Sequence, residues 1–260
     1  MCLHGFMDTW RTWELVLPAL ERRHDVLAPT LPGHAGGPRI EGPITPTVGV
    51  DAVERAMDAA GFETAHVVGN SLGGFVALQL AERGRAATVT ALAPAGGWAR
   101  GDESYRELLA AQASMHEQLR RVAPHAPAYL ASREGRRRAT EYLTTSFEHI
   151  PVDLLAHLML GVAACSAAPA MIEHAGRVGW PLRPEKIACP LRFVWGTADR
   201  LLEWPSAAVR FRTDWFPHAD WIELDGVGHA PQLDVPLETA QLVLDFTSTW
   251  AAPAPTAAVR

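Results

Sequence analysis

Short apolar strand patterns alternate with helical patterns along most of this 260-residue chain. Strands are predicted at "HDVLAPT", "TAHVVG", "ATVTALAP", "LRFVWG" and "DWIELDG", and helices at "VGVDAVERAMDAAGF", "LGGFVALQLAERG" and "PLETAQLVLDFTSTW". Neighbouring parallel strands need long crossovers, and helices normally supply them. The order therefore predicts an α/β protein with a doubly wound, mainly parallel sheet.

A block of helical patterns interrupts the alternation between residues 96 and 186. We interpret it as a helical cap inserted between two strands, and the segments 1–95 and 187–250 as the α/β core. The end of the chain, 251–260, is expected to be a disordered tail. The apolar run 154–172 in the cap contains His157 and Pro169, so a pair of buried helices is expected there rather than a membrane span.

Composition and charge argue against several classes of protein. The formal net charge of −6 is unfavourable for a nucleic-acid-binding surface. The three cysteines show no C-x-x-C spacing and the first residues show no secretory signal pattern, so a cytoplasmic protein is expected. The histidines show no metal-ligand spacing, and we expect neither a metal nor another cofactor. The predicted partner is a small-molecule substrate, with no nucleic acid and no membrane.

One serine lies at the junction of a predicted strand and a predicted helix. Ser71, in "VVGNSLGGF", follows the strand "HVV" and precedes the helix "LGGFVALQL". A sharp strand-to-helix turn forces the serine backbone into a strained conformation and exposes its hydroxyl, and Gly69 and Gly73 allow the two elements to approach closely. The pattern G-x-S-x-G alone is weak evidence, but this position favours a nucleophile.

A serine nucleophile needs a base and a group that orients the base. His229, in "GVGHAPQLDVP", follows the last predicted strand, and Asp199, in "VWGTADRLLEW", follows the strand before it. Ligands bind at the C-terminal ends of the strands in open parallel sheets. The sequence therefore predicts a catalytic triad of Ser71, Asp199 and His229. Asp225, at the end of the last strand, is the alternative acid, although it would have to fold back to reach the imidazole.

The oxyanion of such a site needs two hydrogen-bond donors. The backbone N–H of Leu72, at the start of the helix after the serine, is predicted to provide one. The second is assigned to the N–H of Phe6 in "LHGF", directly after the first strand fragment. His4 and His34 are interpreted as structural residues rather than as bases.

These segments resemble the α/β-hydrolase fold superfamily. The resemblance rests on "HGF", "GNSLGG", "WGTADRLLEW" and "GHAPQLDVP" and extends over essentially the whole chain. It implies that the helical block is a lid and that Ser71, Asp199 and His229 are nucleophile, acid and base. Haloalkane dehalogenases and epoxide hydrolases, which the chain also resembles, use an aspartate at the elbow, so the serine argues against those two activities.

The resemblance also implies two strands and part of a third before the H-G dipeptide, whereas three residues precede it here. The N-terminal strands are therefore expected to be missing, and "DVLAPT" is expected to form an exposed sheet edge. A homodimer that pairs through this edge is a further expectation.

The larger side chains of the lid are expected to line the substrate pocket, and the candidates for substrate contact are Trp98, Phe147, His157 and Met159. They favour an apolar acyl or alcohol group. The predicted activity is hydrolysis of a carboxylic ester, or of a related lactone or thioester, through an acyl-enzyme.

Two alternatives to ester hydrolysis remain open. The first is carbon–carbon bond hydrolysis or cofactor-free perhydrolysis on the same triad. "GNSLGG" resembles hydrolases that cleave carbon–carbon bonds of ring-fission products, although Ala230 stands where those enzymes carry a tryptophan after the histidine. The second alternative is a non-catalytic homologue that binds a small molecule, since a fold does not dictate its function.

Overall fold

The computed structural model of the chain describes residues 1–250, and the predicted tail at 251–260 lies outside the described residues. The strands of its sheet are β1 (Cys2–Leu3), β2 (Ala65–Asn70), β3 (Ala86–Leu92), β4 (Leu191–Gly196) and β5 (Asp220–Leu224). They lie side by side in the order of the sequence, and every described pairing is parallel. The prediction of a parallel α/β sheet is confirmed.

The α-helices of the described residues are α1 (Leu17–Leu20), α2 (Val48–Ala59), α3 (Leu72–Glu82), α4 (Tyr105–Val122), α5 (Ala126–Leu130), α6 (Arg133–Thr140), α7 (Val152–Ala164), α8 (Ala168–Val178), α9 (Pro231–Asp234) and α10 (Pro236–Thr249). Single 3-10 turns occur at Trp10–Trp13, Ala123–His125, Pro184–Lys186 and Ser206–Ala208, and a π-helical turn occurs at Arg210–Trp215.

Successive residues of a strand point to opposite faces of the sheet, and both faces of this sheet are buried. Val67, Phe193 and Trp195 face a core to which α2 and α3 contribute. Val68 and Val194 face the opposite core, to which α10 and the turn at Trp10–Trp13 contribute. Helices therefore cover both faces, which is the doubly wound arrangement predicted from the sequence.

Between β3 and β4 the described chain forms helices and turns, from α4 to the turn at Pro184–Lys186. α7 packs against α4 and α5. Leu130, Leu154 and Leu158 belong to a separate apolar core in this region, which also contains Ala230 and Leu233 from the segment after β5. The helical block is thus a cap with its own core, and it closes onto the segment that carries His229.

The pair of helices predicted at 154–172 is present as α7 and α8. α7 buries five of its residues, whereas Ala168 is the one fully buried residue of α8, so the expectation that both are buried holds only for α7. No single helix of the described residues is long and apolar enough to cross a membrane, and α7 and α8, which meet at 68°, pass that test only as a bent pair.

The prediction of a strand at "DVLAPT" is wrong. Residues 25–30 form no strand, and a hydrogen bond from Cys2 N to Leu27 O at 2.9 Å is what ties the segment to β1. β1 has only two residues, and both already pair with β2 on its other side, so few backbone groups remain to pair with this segment. The outer strand of the described sheet at this side is β1, and "DVLAPT" runs beside it as irregular chain.

Candidate active site

Ser71 occupies the turn between β2 and α3 in a conformation that side-chain-bearing residues rarely adopt. Its φ is 54° and its ψ is −117°. Ser71 N donates to Leu92 O at 2.9 Å. Ser71 O accepts from Phe75 N and Ala95 N, each at 3.1 Å. Backbone strain of this kind, on the order of 1–3 kcal/mol, clusters at functional sites and persists because surrounding contacts hold it.

Two glycines allow this turn to form. A Cβ atom at Gly69 would collide with the backbone of Gly73, and a Cβ atom at Gly73 would collide with the carbonyl group of Leu3 in β1. The two glycines therefore let β2, α3 and the end of β1 approach closely around the serine.

Asp199 and His229 form a buried, hydrogen-bonded pair. His229 Nδ1 lies 2.8 Å from Asp199 Oδ2, and the two side chains expose 2 % and 0 % of their surface. Asp199 Oδ1 also accepts from the N–H groups of Leu201 and Leu202, each at 2.8 Å. Because an ionised carboxylate only accepts, Nδ1 carries the imidazole proton and Nε2 is left to act as a base.

Ser71 and His229 line one cavity, which lies between the core and the cap. Among the hydrogen bonds of residues 1–250, none joins Ser71 Oγ to the imidazole, whose bond is the one to Asp199. Such bonds are often long in unliganded sites and shorten when substrate binds. Ser71 and His229 therefore both border the space that a substrate would fill, and Nε2 of His229 makes no hydrogen bond among the described residues.

Asp225, the alternative acid, does not contact the imidazole. Its side chain is exposed and accepts a hydrogen bond from Thr197 Oγ1 at 3.1 Å. Of the two candidate acids, Asp199 is the one bonded to His229.

The backbone N–H groups of Phe6 and Leu72 donate to no protein acceptor in the described part of the chain. Leu72 begins α3, and the first N–H groups of a helix have no partner within it. Phe6 precedes Met7, whose φ of 61° also lies in the left-handed region, and Phe6 lines the cavity together with Ser71. Both N–H groups fit the predicted role of binding an oxyanion.

His4 fixes the loop that carries Phe6. Its side chain is fully buried, with Nδ1 2.8 Å from Gly5 O and Nε2 2.8 Å from Leu31 N. Because a backbone N–H only donates, Nε2 is the acceptor and Nδ1 carries the proton. Burial, aided by the charge of His34, lowers the pKa of His4 well below its ordinary value, and burial lowers the pKa of His34 to about 4. The structural role predicted for His4 is confirmed.

A buried chain of amides joins the serine turn to the histidine loop. Asn70 Nδ2 donates to His229 O at 2.9 Å, and Asn70 Oδ1 accepts from Gln232 Nε2 at 3.1 Å. Gln232 Nε2 also donates to Thr12 Oγ1 at 3.2 Å. Asn70, Gln232 and Thr12 expose at most 3 % of their surface. These hydrogen bonds hold the His229 loop against Asn70, the residue before Ser71. The sequence gives no local signal for them, because Asn70 and Gln232 are 162 residues apart.

A cavity of about 400 Å³ opens between the core and the cap in front of Ser71 and His229. Apolar side chains of α4 and α7 form much of its wall, among them Met115, Leu119, Leu155, Leu158 and Met159. A largely apolar wall with a few convergent polar groups is typical of sites for small ligands. Met159 therefore lies where a substrate-contact residue is expected.

Three of the four predicted substrate contacts, Trp98, Phe147 and His157, lie outside this cavity. Phe147 is buried in the cap core, where the guanidinium of Arg133 lies 5.4 Å from its ring centroid. His157 Nε2 lies 3.0 Å from Thr9 Oγ1, so this side chain joins α7 to the core instead. The assignment of Phe147 and His157 as substrate contacts is wrong because it considered size and type, whereas the direction of a cap side chain depends on how the cap helices pack.

Trp98 lines a smaller cavity of about 60 Å³. This second cavity shares Phe6, Ser71 and Gln112 with the larger one, and Leu72 also contributes to its wall. Trp98 is thus near the serine turn, beside a space too small for more than a short apolar group, and it also lines a separate cavity of about 690 Å³.

Asp234 joins the cap to the histidine loop and is absent from the residues predicted from the sequence. Its carboxylate accepts from Thr145 N at 2.9 Å and Ser146 N at 2.8 Å in the cap, and from Gly228 N at 2.7 Å. The residue is 4 % exposed. A buried carboxylate requires such partners. Its position five residues after His229, in the same quoted motif, is the signal that could have found it.

The chain belongs to the alpha/beta hydrolase family, whose model matches residues 1–242. It is 34 % identical over 199 residues to the epoxide hydrolase EphH of Mycobacterium tuberculosis, which covers 75 % of this chain and 92 % of that protein. It is 37 % identical over 87 residues to the 2-hydroxymuconate semialdehyde hydrolase of Pseudomonas sp. strain CF600, which is 32 % of this chain and 31 % of that one. The structure of a thermophilic esterase from Thermogutta terrifontis superposes with a TM-score of 0.69 at 21 % identity, over 96 % of this chain and 89 % of the esterase.

Proposed function

We propose that this protein is a serine hydrolase that cleaves a carboxylic ester, or a related lactone or thioester, of a small apolar substrate through an acyl-enzyme. One observation carries the proposal. Ser71, on its strained turn, lines the same cavity as His229, which is bonded to the buried Asp199. A nucleophile, a base and an orienting acid in this relation are what acyl transfer requires.

In the proposed reaction, His229 Nε2 takes the proton of the Ser71 hydroxyl while its oxygen attacks the carbonyl carbon. Asp199 stabilises the imidazolium that forms. The N–H groups of Phe6 and Leu72 stabilise the oxyanion, and each such donor contributes on the order of 3 kcal/mol. The imidazolium protonates the leaving group, and water activated by His229 then hydrolyses the acyl-enzyme.

Opening of an epoxide is not proposed, although the relative EphH is named for that activity. Attack of Ser71 on an epoxide would produce an ether between enzyme and substrate. Water does not readily cleave an ether, so the enzyme would not be regenerated. Attack on an acyl carbon produces an ester, which the same base can hydrolyse.

Carbon–carbon bond hydrolysis is the second candidate. The local identity of 37 % to a 2-hydroxymuconate semialdehyde hydrolase favours it, and the same serine attack on a ketone carbonyl would start that reaction. Incubation with ring-fission dienoates, followed through the loss of their visible absorbance, distinguishes the two candidates. Cleavage of these compounds much faster than of any ester would replace the ester proposal.

The test of the proposal is turnover of p-nitrophenyl esters of increasing acyl length by the wild-type protein, Ser71→Ala and Ser114→Ala. Ser114 is an exposed serine of α4 and serves as the matched control. We expect Ser71→Ala to abolish turnover and labelling by a fluorophosphonate, and Ser114→Ala to leave both unchanged. Absence of both turnover and labelling in the folded wild-type protein would contradict the proposal and favour a non-catalytic homologue.

A further inference from the structure

Asp8 places a carboxyl group in the wall of the cavity that contains Ser71 and His229. It lies two residues after Phe6, in the loop assigned to the oxyanion. Its Oδ1 accepts from Thr9 N at 2.7 Å, and the hydroxyl of Thr12 also bonds to the carboxyl. Because Thr12 Oγ1 already accepts from Gln232, the hydroxyl proton is free to be donated to Asp8. The carboxyl is therefore held in the wall of the cavity that Ser71 and His229 also line.

This carboxyl has no cationic partner. Within residues 1–250, no lysine, arginine or histidine nitrogen lies within 4.0 Å of Asp8. The titratable groups near it are few. His229, in the segment after β5, is the group whose charge acts on it. The cap adds Arg138 and Glu141 to the cavity wall. Arg138 is ion-paired with Glu134, and Glu141 is ion-paired with Arg137.

Removing a carboxylate from water without a counter-charge costs free energy, and a cation that enters the cavity lowers this cost. Burial raises the pKa of Asp8 to about 7, with the hydrogen bonds from Thr9 and Thr12 and the charge of His229 acting in the opposite direction. The group therefore changes charge near neutral pH when the cavity holds no cation.

We propose that Asp8 determines substrate specificity, and that it selects substrates with a cationic nitrogen close to the scissile carbonyl group. This inference rests on the proposed function of Ser71. The rest of the cavity wall is mostly apolar near α4 and α7, so the methyl or methylene groups around such a nitrogen pack against it while the charge faces Asp8.

The test uses two pairs of esters in which a quaternary carbon replaces the quaternary nitrogen without a change of shape. One pair differs in the alcohol, acetylcholine against 3,3-dimethylbutyl acetate. The other differs in the acid, a trimethylammonioacetate ester against the 3,3-dimethylbutanoate ester. Within a pair, the ratio of the two kcat/KM values cancels the pH dependence of the triad. Ser71→Ala supplies the background rate.

At pH 8 we expect the preference of the wild-type protein for the cationic member of at least one pair to exceed that of Asp8→Asn by about tenfold, as one charge pair in a partly buried site gives. Comparison with Asp8→Asn, which retains an acceptor for Thr9 and Thr12, removes the intrinsic difference in reactivity between the two esters of a pair. The excess should disappear at pH 5, where Asp8 is protonated. Equal preferences of the wild-type protein and Asp8→Asn at pH 8 in both pairs would overturn the inference.

A binding measurement keeps the inference testable if the proposed function fails. Ser71→Ala protein is heated with tetramethylammonium chloride at pH 8 and pH 5, with sodium chloride as the control. We expect a rise of Tm by tetramethylammonium over sodium at pH 8 alone, and no such rise in the Ser71→Ala/Asp8→Asn double variant. Equal Tm values for the two salts at pH 8 would rule out a cation site, whatever the outcome of the ester assays.

Discussion

At the scale of single residues, two carboxyl groups near one imidazole have opposite environments. Asp199 accepts two backbone N–H bonds besides its bond to His229. Asp8 is half-buried and has fewer partners, and loss of solvent around it raises its pKa to about 7. Pairs of acids whose surroundings differ in this way commonly have different roles in one site. Asp199 orients the base, and Asp8 is left to meet the substrate.

The role of Asp199 predicts the effect of its amide. Asp199→Asn cannot hold Nδ1 in the protonated tautomer, so we expect kcat for a p-nitrophenyl ester to fall by about 10³- to 10⁴-fold. Asp225→Asn is the matched control, because this exposed carboxylate bonds to Thr197 instead. Steady-state kinetics of the two variants measure the difference. Near-normal turnover in Asp199→Asn would transfer the role of acid to another carboxylate.

The raised pKa of Asp8 predicts how folding stability depends on pH. The folded state keeps the proton up to about pH 7, whereas the unfolded chain loses it near the ordinary value of 3.8. Unfolding therefore releases a proton between these values, and stability falls as pH rises through that window. The loss is complete above pH 7 and amounts to at most about 4 kcal/mol.

Asp8→Asn removes this titration, so its stability relative to the wild-type protein should be greater at pH 8 than at pH 4. Urea unfolding at the two pH values measures the free energies. Asp153→Asn, at an exposed position of α7, is expected to show a much smaller dependence. An equal difference between wild type and Asp8→Asn at both pH values would contradict the assigned pKa.

At the scale of secondary-structure elements, local patterns were sufficient where a short segment determines its own geometry. The turn at Ser71 needs glycines two positions away on either side, and both are visible in the sequence. The failures are non-local. "DVLAPT" has the composition of a strand but lies beside a strand of two residues, and the direction of Phe147 and His157 depends on neighbouring cap helices. Asp234 is another non-local feature, since its partners Thr145 and Ser146 belong to the cap.

The contacts of Asp234 predict that it holds the cap on the core. Asp234→Ala leaves the N–H groups of Thr145, Ser146 and Gly228 without their acceptor, so we expect a loss of about 3 kcal/mol in the free energy of unfolding. Because one of these groups adjoins His229, kcat should fall as well. The control is Asp153→Ala, at an exposed acid paired with Arg11 at 3.5 Å. Limited proteolysis should cut the segment around residue 145 faster in Asp234→Ala, and an unchanged cutting rate would contradict this role.

At the scale of the whole molecule, the cavity lies between the α/β core and the helical cap, which share contacts through Ala230 and Leu233. The core places Ser71 and His229 beyond the C-terminal ends of β2 and β5. The cap adds the apolar wall from α4 and α7. The order of strands made the first part predictable. The cavity volume of about 400 Å³ could not be predicted, because it depends on the distance between α7 and the serine turn, and no local pattern encodes that distance.

The position of α7 predicts how acyl-chain preference can be changed. Met159 is 4 % exposed and lines the cavity, whereas its neighbour Leu160 is 49 % exposed on the outer face of the same helix. Met159→Trp adds volume in front of Ser71, so kcat/KM for long acyl chains should fall by at least about tenfold while acetyl esters are affected little. Leu160→Trp adds the same side chain outside the cavity and should preserve the wild-type profile. If both variants show the same chain-length profile, acyl groups bind elsewhere, and the smaller cavity beside Trp98 becomes the acyl site to test.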